Sequence, residues 1–296
     1  MEKYLMKAVK ISIIIVSYNT KELLKACLES IESSRRPDDS FEVIVVDNAS
    51  SDGSAEYVKR KKNIHTILNK TNVGFSRANN QGIKRAAGEY VLLLNSDTEL
   101  RLNTIQELLK YMDTYARVGA VTCRVDLPDG KIDPACHRGF PTPWASLSYF
   151  LGFEKLFPKS EIFSQYHLGY KDMNSIHEID SPVGAFFLSR RKILEDLKGL
   201  DEEYFMYGED IDLSYRIKEA GWPIVYYPLV SILHRKKQSG RSGKNKDVRR
   251  QTDIFFYEAM KIFYTKHFMK KYPSLVTRFI FYILTLRIWM IQTIGR

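Results

Sequence analysis

The sequence predicts an α/β fold: a mainly parallel central sheet flanked by helices, with a helical extension at the C-terminal end. Three observations predict it. Short apolar strand runs alternate with helix-period segments over the first hundred residues. Polar clusters follow the strand runs, where open α/β sheets bind ligands. The last fifty residues change to a basic helical pattern followed by an apolar one.

The elements follow in order. Residues 11–17 (ISIIIVS) read as a fully buried strand, and residues 21–31 place Leu23, Leu24, Cys27, Leu28 and Ile31 at helical spacing. Strand 41–47, short helix 55–60, strand 64–68, helix 75–87 closed by Gly88, and strand 90–94 come next. This alternation implies right-handed crossovers and parallel pairing. A helix over 101–115 and a strand over 118–125 complete the regular part. Residues 126–178 lose periodicity but are rich in aromatics, among them Trp144, Tyr149, Phe150 and Phe163. A long irregular segment inside a compact domain is usually functional, and this one reads as an acceptor-side insertion. Strands over 181–189 and 223–227 bracket a helix over 210–220. A loop-like stretch over 238–246, a basic helix over 247–271 and an apolar helix over 274–292 end the chain. The expected division is a catalytic domain over 1–246 and an extension over 247–296.

With 296 residues the chain suits one large domain, or one with an appendage. Cys27, Cys123 and Cys136 are odd in number and widely spaced, which argues against a disulfide framework or a zinc site. The first apolar run is short and lacks a cleavage pattern, so it reads as a strand and the expected location is the cytoplasm. The net charge of +10 concentrates after residue 234, which suggests an anionic partner.

Candidate site residues lie at the strand ends. Ser17-Tyr18-Asn19 follow the first strand, and Asp47-Asn48-Ala49-Ser50 with Asp52 follow the second. A carboxylate there can accept from a base imide or a ribose hydroxyl, and Tyr18 can cover a base ring. No GxGxxG or Walker sequence is present, so neither dinucleotide nor P-loop chemistry is supported. Asp97, after the run Val-Leu-Leu-Leu-Asn95-Ser96, is placed to hold Mg²⁺ or Mn²⁺ on a diphosphate, although it could equally cap the helix that follows. Farther along, Glu209-Asp210-Ile211-Asp212 opens a helix behind the apolar Tyr204–Tyr207 stretch. The plain reading is first-turn acidity favoured by the helix dipole; the functional one is a general base in a walled cleft. His234 ends a strand-like run and opens a cationic loop, which makes it a further ligand candidate.

These residues resemble glycosyltransferase family 2, with its GT-A fold. The resemblance spans roughly residues 10–240. It rests on Ile13–Asn19, Val45–Ser54, Asn72–Gly82 (NVGFSRANNQG), Leu94–Thr98, Gly184–Leu188, Phe205–Arg216 and Ala220-Gly221-Trp222. Its flavour is that of the rhamnosyltransferase-like branch. The resemblance implies that Asp47 binds the base, Asp97 is the last carboxylate of the metal motif and Asp210 is the catalytic base with Glu209 beside it. The family's first metal-motif aspartate is replaced by Asn95, and His234 could complete the site. Ser17, Tyr18, Asn19, Asn48, Ser50, Asp52, Arg77 and Asn95 fall on the donor side. Arg235, Lys236, Lys237 or Arg241 would counter the leaving diphosphate. Neither a Q-x-x-R-W motif nor several membrane spans are present, so single-sugar transfer is expected.

The implied partners are a nucleotide-sugar donor and a glycan or polyprenyl-diphosphate-linked acceptor. Arg278 and Arg287 interrupt the apolar helix, which favours an anchor lying on the inner face of an anionic membrane over a span. Packing on the catalytic domain, or a homodimer contact, is the competing reading. A non-catalytic nucleotide-sugar-binding protein has Asn95 in its favour and Glu209-Asp210 against it. Nucleic-acid binding through the basic region is disfavoured by the apolar 275–292 segment.

Overall fold

The computed structural model describes residues 9–34, 40–236 and 246–294. Among these residues, nine strands form one sheet in the order β3-β2-β1-β4-β8-β6-β9-β5, with β7 pairing to β9. The first four are β1 (Ile11–Ser17), β2 (Phe41–Asp47), β3 (Ile64–Leu68) and β4 (Tyr90–Asn95). They pair parallel throughout. All seven β1 residues are buried, as a strand covered by helices on both faces requires. Helices α1 (Lys21–Ser33), α2 (Ser54–Lys59) and α3 (Phe75–Arg85) supply the crossovers. Gly82 lets α3 sit close on β1, because a Cβ there would meet Ile14 Cγ2 at 2.4 Å.

The second half of the sheet is mixed. Strand β5 (Thr98–Leu100), which the sequence reading merged into the approach to a helix, pairs antiparallel with β9 (Ile224–His234). Helix α4 (Thr104–Thr114) follows, and β6 (Ala120–Asp126) runs parallel to β9. Strand β9 is one long element with a register break near Tyr227, so the separate runs around 223–227 and 231–233 belong together. Strand β8 (Phe186–Arg190) starts later than expected and pairs antiparallel with β4 and β6. Residues 181–185 are thereby left as a loop.

The aromatic segment is only partly irregular. It carries helices α5 (Pro143–Phe150) and α6 (Phe153–Leu156), and strand β7 (His177–Ile179). Thr142 caps α5 by accepting from Ala145 N, with Pro143 at the first helical position. Two short helices follow β8: α7 (Arg191–Asp196) and, after a turn, α8 (Glu209–Glu219).

Helix α9 (Lys246–His267) packs on α8 and the turn before it. Ala259, Phe263, Tyr264 and Phe268 are buried with Tyr204 and Tyr215. The His267 ring nitrogen Nε2 lies 2.7 Å from Asp212 Oδ1. Helix α10 (Ser274–Ile294) folds back on α9 through Leu284 and Ile291. Its opposite face leaves Leu275, Phe279, Tyr282, Leu286 and Trp289 exposed.

Candidate active site

The ends of β1, β2 and β4 lie side by side, as parallel register demands. Their loops are tied by polar side chains. Ser17 and Ser96 hydroxyls both lie 3.0 Å from Thr20 Oγ1, joining the β1 and β4 ends. Asn19 N donates to Ser50 Oγ at 2.9 Å, and Asn19 Oδ1 accepts from Ser51 N. Asp52 Oδ2 accepts from Lys21 N at 2.8 Å, supplying the first turn of α1 with an acceptor from the next loop. Burial opposes the Asp52 charge, but the Ser54 hydroxyl and the backbone N–H groups of Lys21 and Ser54 outweigh it and hold its pKa below the ordinary value. Asn19 and Ala49 both sit at positive φ, 54° and 68°. Asn tolerates this, whereas Ala is strained there.

Asp47 is 2% exposed. Its Oδ1 accepts from Ser50 N at 3.0 Å, while Oδ2 is buried without a hydrogen-bond partner. Leaving a buried acceptor unmade is costly, so Oδ2 is a ready acceptor for a ligand N–H or O–H. Tyr18, which follows the end of the neighbouring strand β1, is 48% exposed. Asn48 is engaged differently: it donates to Asn72 Oδ1 and accepts from Asn69 Nδ2 and Val73 N, which makes it a brace for the 69–74 loop. Arg77 is paired with Glu202 at 2.9 Å.

Asp97 and His234 come together through the β5·β9 ladder, in which Thr98 faces His234. His234 Nε2 lies 3.2 Å from Asp97 Oδ1, and both side chains are buried. His234 Nδ1 has no hydrogen-bond partner, and Asp133 Oδ2 lies 4.0 Å from it. Among the described residues, no three His, Cys, Asp or Glu side chains gather to hold an ion. The protein therefore offers a carboxylate and an imidazole. That donor set fits Mn²⁺ or Mg²⁺ when phosphate oxygens and water complete the shell. The cations expected beside it are otherwise occupied: Arg235 is bonded to Glu99, and Lys236 to Asp133 at 2.7 Å. Lys237 and Arg241 lie outside the described residues.

Asp210 lies in the first turn of α8. Tyr207 and Gly208 both have positive φ, 70° and 79°, and this tight turn launches α8. Tyr207 carries the strain, since Gly adopts such angles freely. Asp210 Oδ2 accepts from Arg138 Nη2 at 2.8 Å and from Gly184 N at 3.0 Å; Oδ1 accepts from Ile211 N at 2.8 Å. Next to it, Glu209 is buried with Oε2 unpartnered. Burial first, and then the Asp210 charge, raise its pKa well above the carboxylate range. Burial works against the Arg138 charge, but the Asp210 carboxylate overcomes it and holds the guanidinium protonated.

Residues 184–185 join the two halves. Asn95 N donates to Ala185 O at 3.1 Å, and Gly184 N donates to Asp210. The loop bearing Asp97 and the carboxylate of Asp210 are thus fixed to one short segment. The sequence reading missed Arg138 and Asp133. The only hint of Arg138 was a lone guanidinium in a stretch without regular period, residues 136–143.

The chain is a mixed α/β sheet flanked by helices, with polar and acidic loops at its parallel strand ends. Its fold is shared with the *S. aureus* TarS fragment 1–349, at a TM-score of 0.55 and 17% identity over 88% of this chain and 73% of that one. It is also shared with the mannosyltransferase PcManGT of *Pyrobaculum calidifontis* in complex with GDP-Man and Mn²⁺, at a TM-score of 0.55 and 19% identity over 86% of this chain and 64% of that one. The architecture is GT-A. The family model for glycosyl transferase family 2 matches residues 12–197, more than half of the chain, and the chain belongs to that family. It is a glycosyltransferase of the rhamnosyltransferase-like branch. One relative is the N-acetylglucosaminyl-diphospho-decaprenol L-rhamnosyltransferase of *Mycobacterium tuberculosis*, 28% identical over 77% of this chain and 76% of that protein. Another is the rhamnosyltransferase WbbL of *Escherichia coli*, 26% identical over 80% of this chain and 88% of that protein.

Proposed function

We propose that this enzyme transfers a single sugar, with inversion, from a nucleotide-diphosphate donor to a hydroxyl of a lipid-linked or glycan acceptor in bacterial cell-surface polysaccharide synthesis. The relatives named above favour dTDP-rhamnose as donor, with a UDP-sugar as the alternative, and an acceptor carried on a polyprenyl diphosphate. The observation that carries the reading is the bridge at 184–185, which ties the Asp97 loop to Asp210.

In this reading Asp47 Oδ2 accepts from the base and Tyr18 covers its ring. Asp97 and His234 would hold Mg²⁺ or Mn²⁺, which would supply positive charge against the diphosphate. The acceptor oxygen attacks the anomeric carbon while the bond from that carbon to the phosphate oxygen breaks. The bonding electrons leave with the diphosphate. Asp210 takes the hydroxyl proton, and one displacement inverts the centre.

The enzyme works in this reading on the cytoplasmic side of a membrane. Residues 246–294 carry nine Lys and Arg against three Asp and Glu, which suits an anionic surface. By length and composition alone, Ser274–Thr293 is long and apolar enough to cross a membrane, with a mean hydropathy of 1.5. Its partner helix α9 is held on the catalytic domain, and the exposed stripe from Leu275 to Trp289 suits an interfacial position.

The test is a panel of nucleotide sugars, scored by released nucleoside diphosphate, with wild type and Asp210→Asn compared. One donor should be consumed by the wild type, and the variant should lose at least ~100-fold in turnover while still binding that donor. Near-normal turnover by a folded Asp210→Asn enzyme would sink the base assignment.

A further inference from the structure

Asp210 has two carboxylate oxygens in unequal surroundings. Oδ2 is saturated by two donors, Arg138 Nη2 and Gly184 N. Among the described residues Oδ1 accepts only from Ile211 N, in its own helix, which leaves it a further lone pair. Arg138 is itself fixed. It is 8% exposed, and its Nη2 also donates to Pro182 O at 2.6 Å. Its backbone is bridged to Ser181: Arg138 N donates to Ser181 O at 3.0 Å and Ser181 N to Arg138 O at 2.9 Å. A guanidinium held through its backbone and through Nη2, which bonds both Pro182 O and Asp210 Oδ2, can set the carboxylate's direction.

We propose that Arg138 is a positioning residue for the transfer step: together with Gly184 N–H it pins Asp210 Oδ2, so that Oδ1 is the atom that receives the acceptor's proton. This rests on the reading of Asp210 as the base. Tyr166 lies beside the guanidinium, and Glu209 and Asp212 stand with Asp210 on α8. Asp212 is already engaged by Arg216 and His267. Arg138 is therefore the cation in contact with Asp210 among the described residues. Asp210 must present a free lone pair to take the proton, and the contact with Arg138 Nη2 fixes which of its two oxygens does so.

The experiment compares Arg138→Met and Arg138→Lys in the full chain, measuring kcat and donor KM, with thermal melts as folding controls. Arg138→Met should lower kcat by about 100-fold with donor KM little changed, as a misdirected group does. Arg138→Lys keeps the charge but not the guanidinium, so its kcat should recover only in part, again with donor KM little changed. Placing either substitution in the Asp210→Asn background should add little further loss, because both act through one carboxylate. A folded Arg138→Met enzyme with a near wild-type kcat, or with its loss confined to donor KM, overturns the proposal, as does an additive loss in the double variant. If Arg138→Met does not fold, Arg138→Lys decides: a loss undiminished by Asp210→Asn overturns the proposal, and a masked loss supports it. Normal turnover by Asp210→Asn alone would instead remove the base reading, whatever Arg138 does.

Discussion

Helix α9 belongs, we propose, to the catalytic unit, and Phe263→Ala measures by how much. Phe263 is 4% exposed and meets the rings of Tyr215, Phe268 and Phe140 at centroid distances of 5.8, 5.4 and 6.5 Å. Those three partners come from α8, the start of the 268–272 turn, and the approach to α5. Cutting a buried Phe back to Ala costs about 3–5 kcal/mol in lost transfer energy and residual cavity. Against a total stability of about 5–15 kcal/mol, that leaves a folded but weakened protein. At about 2 °C per kcal/mol for a chain this long, the melting temperature should fall by roughly 6–10 °C. Ending the chain after residue 246 should do more. It removes Ala259, Phe263 and Phe268 together, exposes Tyr204 and Tyr215, and strips His267 from Asp212. That chain should show no cooperative melt. Calorimetry of the three proteins, with donor binding measured at low temperature, checks the argument. If Phe263→Ala melts within about 2 °C of wild type, or the shortened chain unfolds as cooperatively as the full one, the packing argument fails.

Excess EDTA should abolish transfer, and Asp97→Ala and His234→Ala should each weaken Mn²⁺ binding measured by calorimetry with the nucleoside diphosphate present; unchanged binding in both would remove the pair as ligands. Phe279→Glu with Trp289→Glu, both on the exposed face of α10, should cut co-sedimentation with anionic vesicles without lowering the melting temperature. Equal vesicle binding by this variant, or a shift from dimer to monomer on analytical ultracentrifugation with no lipid effect, would reject the anchor. Glu209 has a folded pKa raised above its ordinary 4.5, so the fold favours its protonated form and loses stability as pH rises from 4.5 through that raised value. Glu209→Gln should therefore flatten the decline in stability on the alkaline side, as read by urea midpoints across pH; an unchanged slope would contradict the burial argument.

Much of this protein was legible from local pattern. The strand runs at Ile11–Ser17 and Phe41–Asp47 are apolar enough to be buried on both faces, and alternation with helices leaves little choice but a parallel sheet. Side chains at strand ends follow from that topology, so Tyr18, Asp47 and Asp97 could be named without coordinates. What local pattern does not carry is pairing at long range. Strand β5 is three residues long and has no periodicity to read, yet its ladder with β9 sets His234 beside Asp97 across 137 positions. Arg235 looked like a free cation until that same ladder brought it to Glu99. Arg138 lies in a segment without regular period, and only the bridge to Ser181 and the turn at Tyr207-Gly208 bring it to Asp210. The basic helix likewise read as an appendage, because its charges are visible in sequence whereas the aromatic partners of Phe263 lie on elements far away in the chain. Periodicity reports which face of an element is buried; which other element covers it is decided by tertiary packing alone.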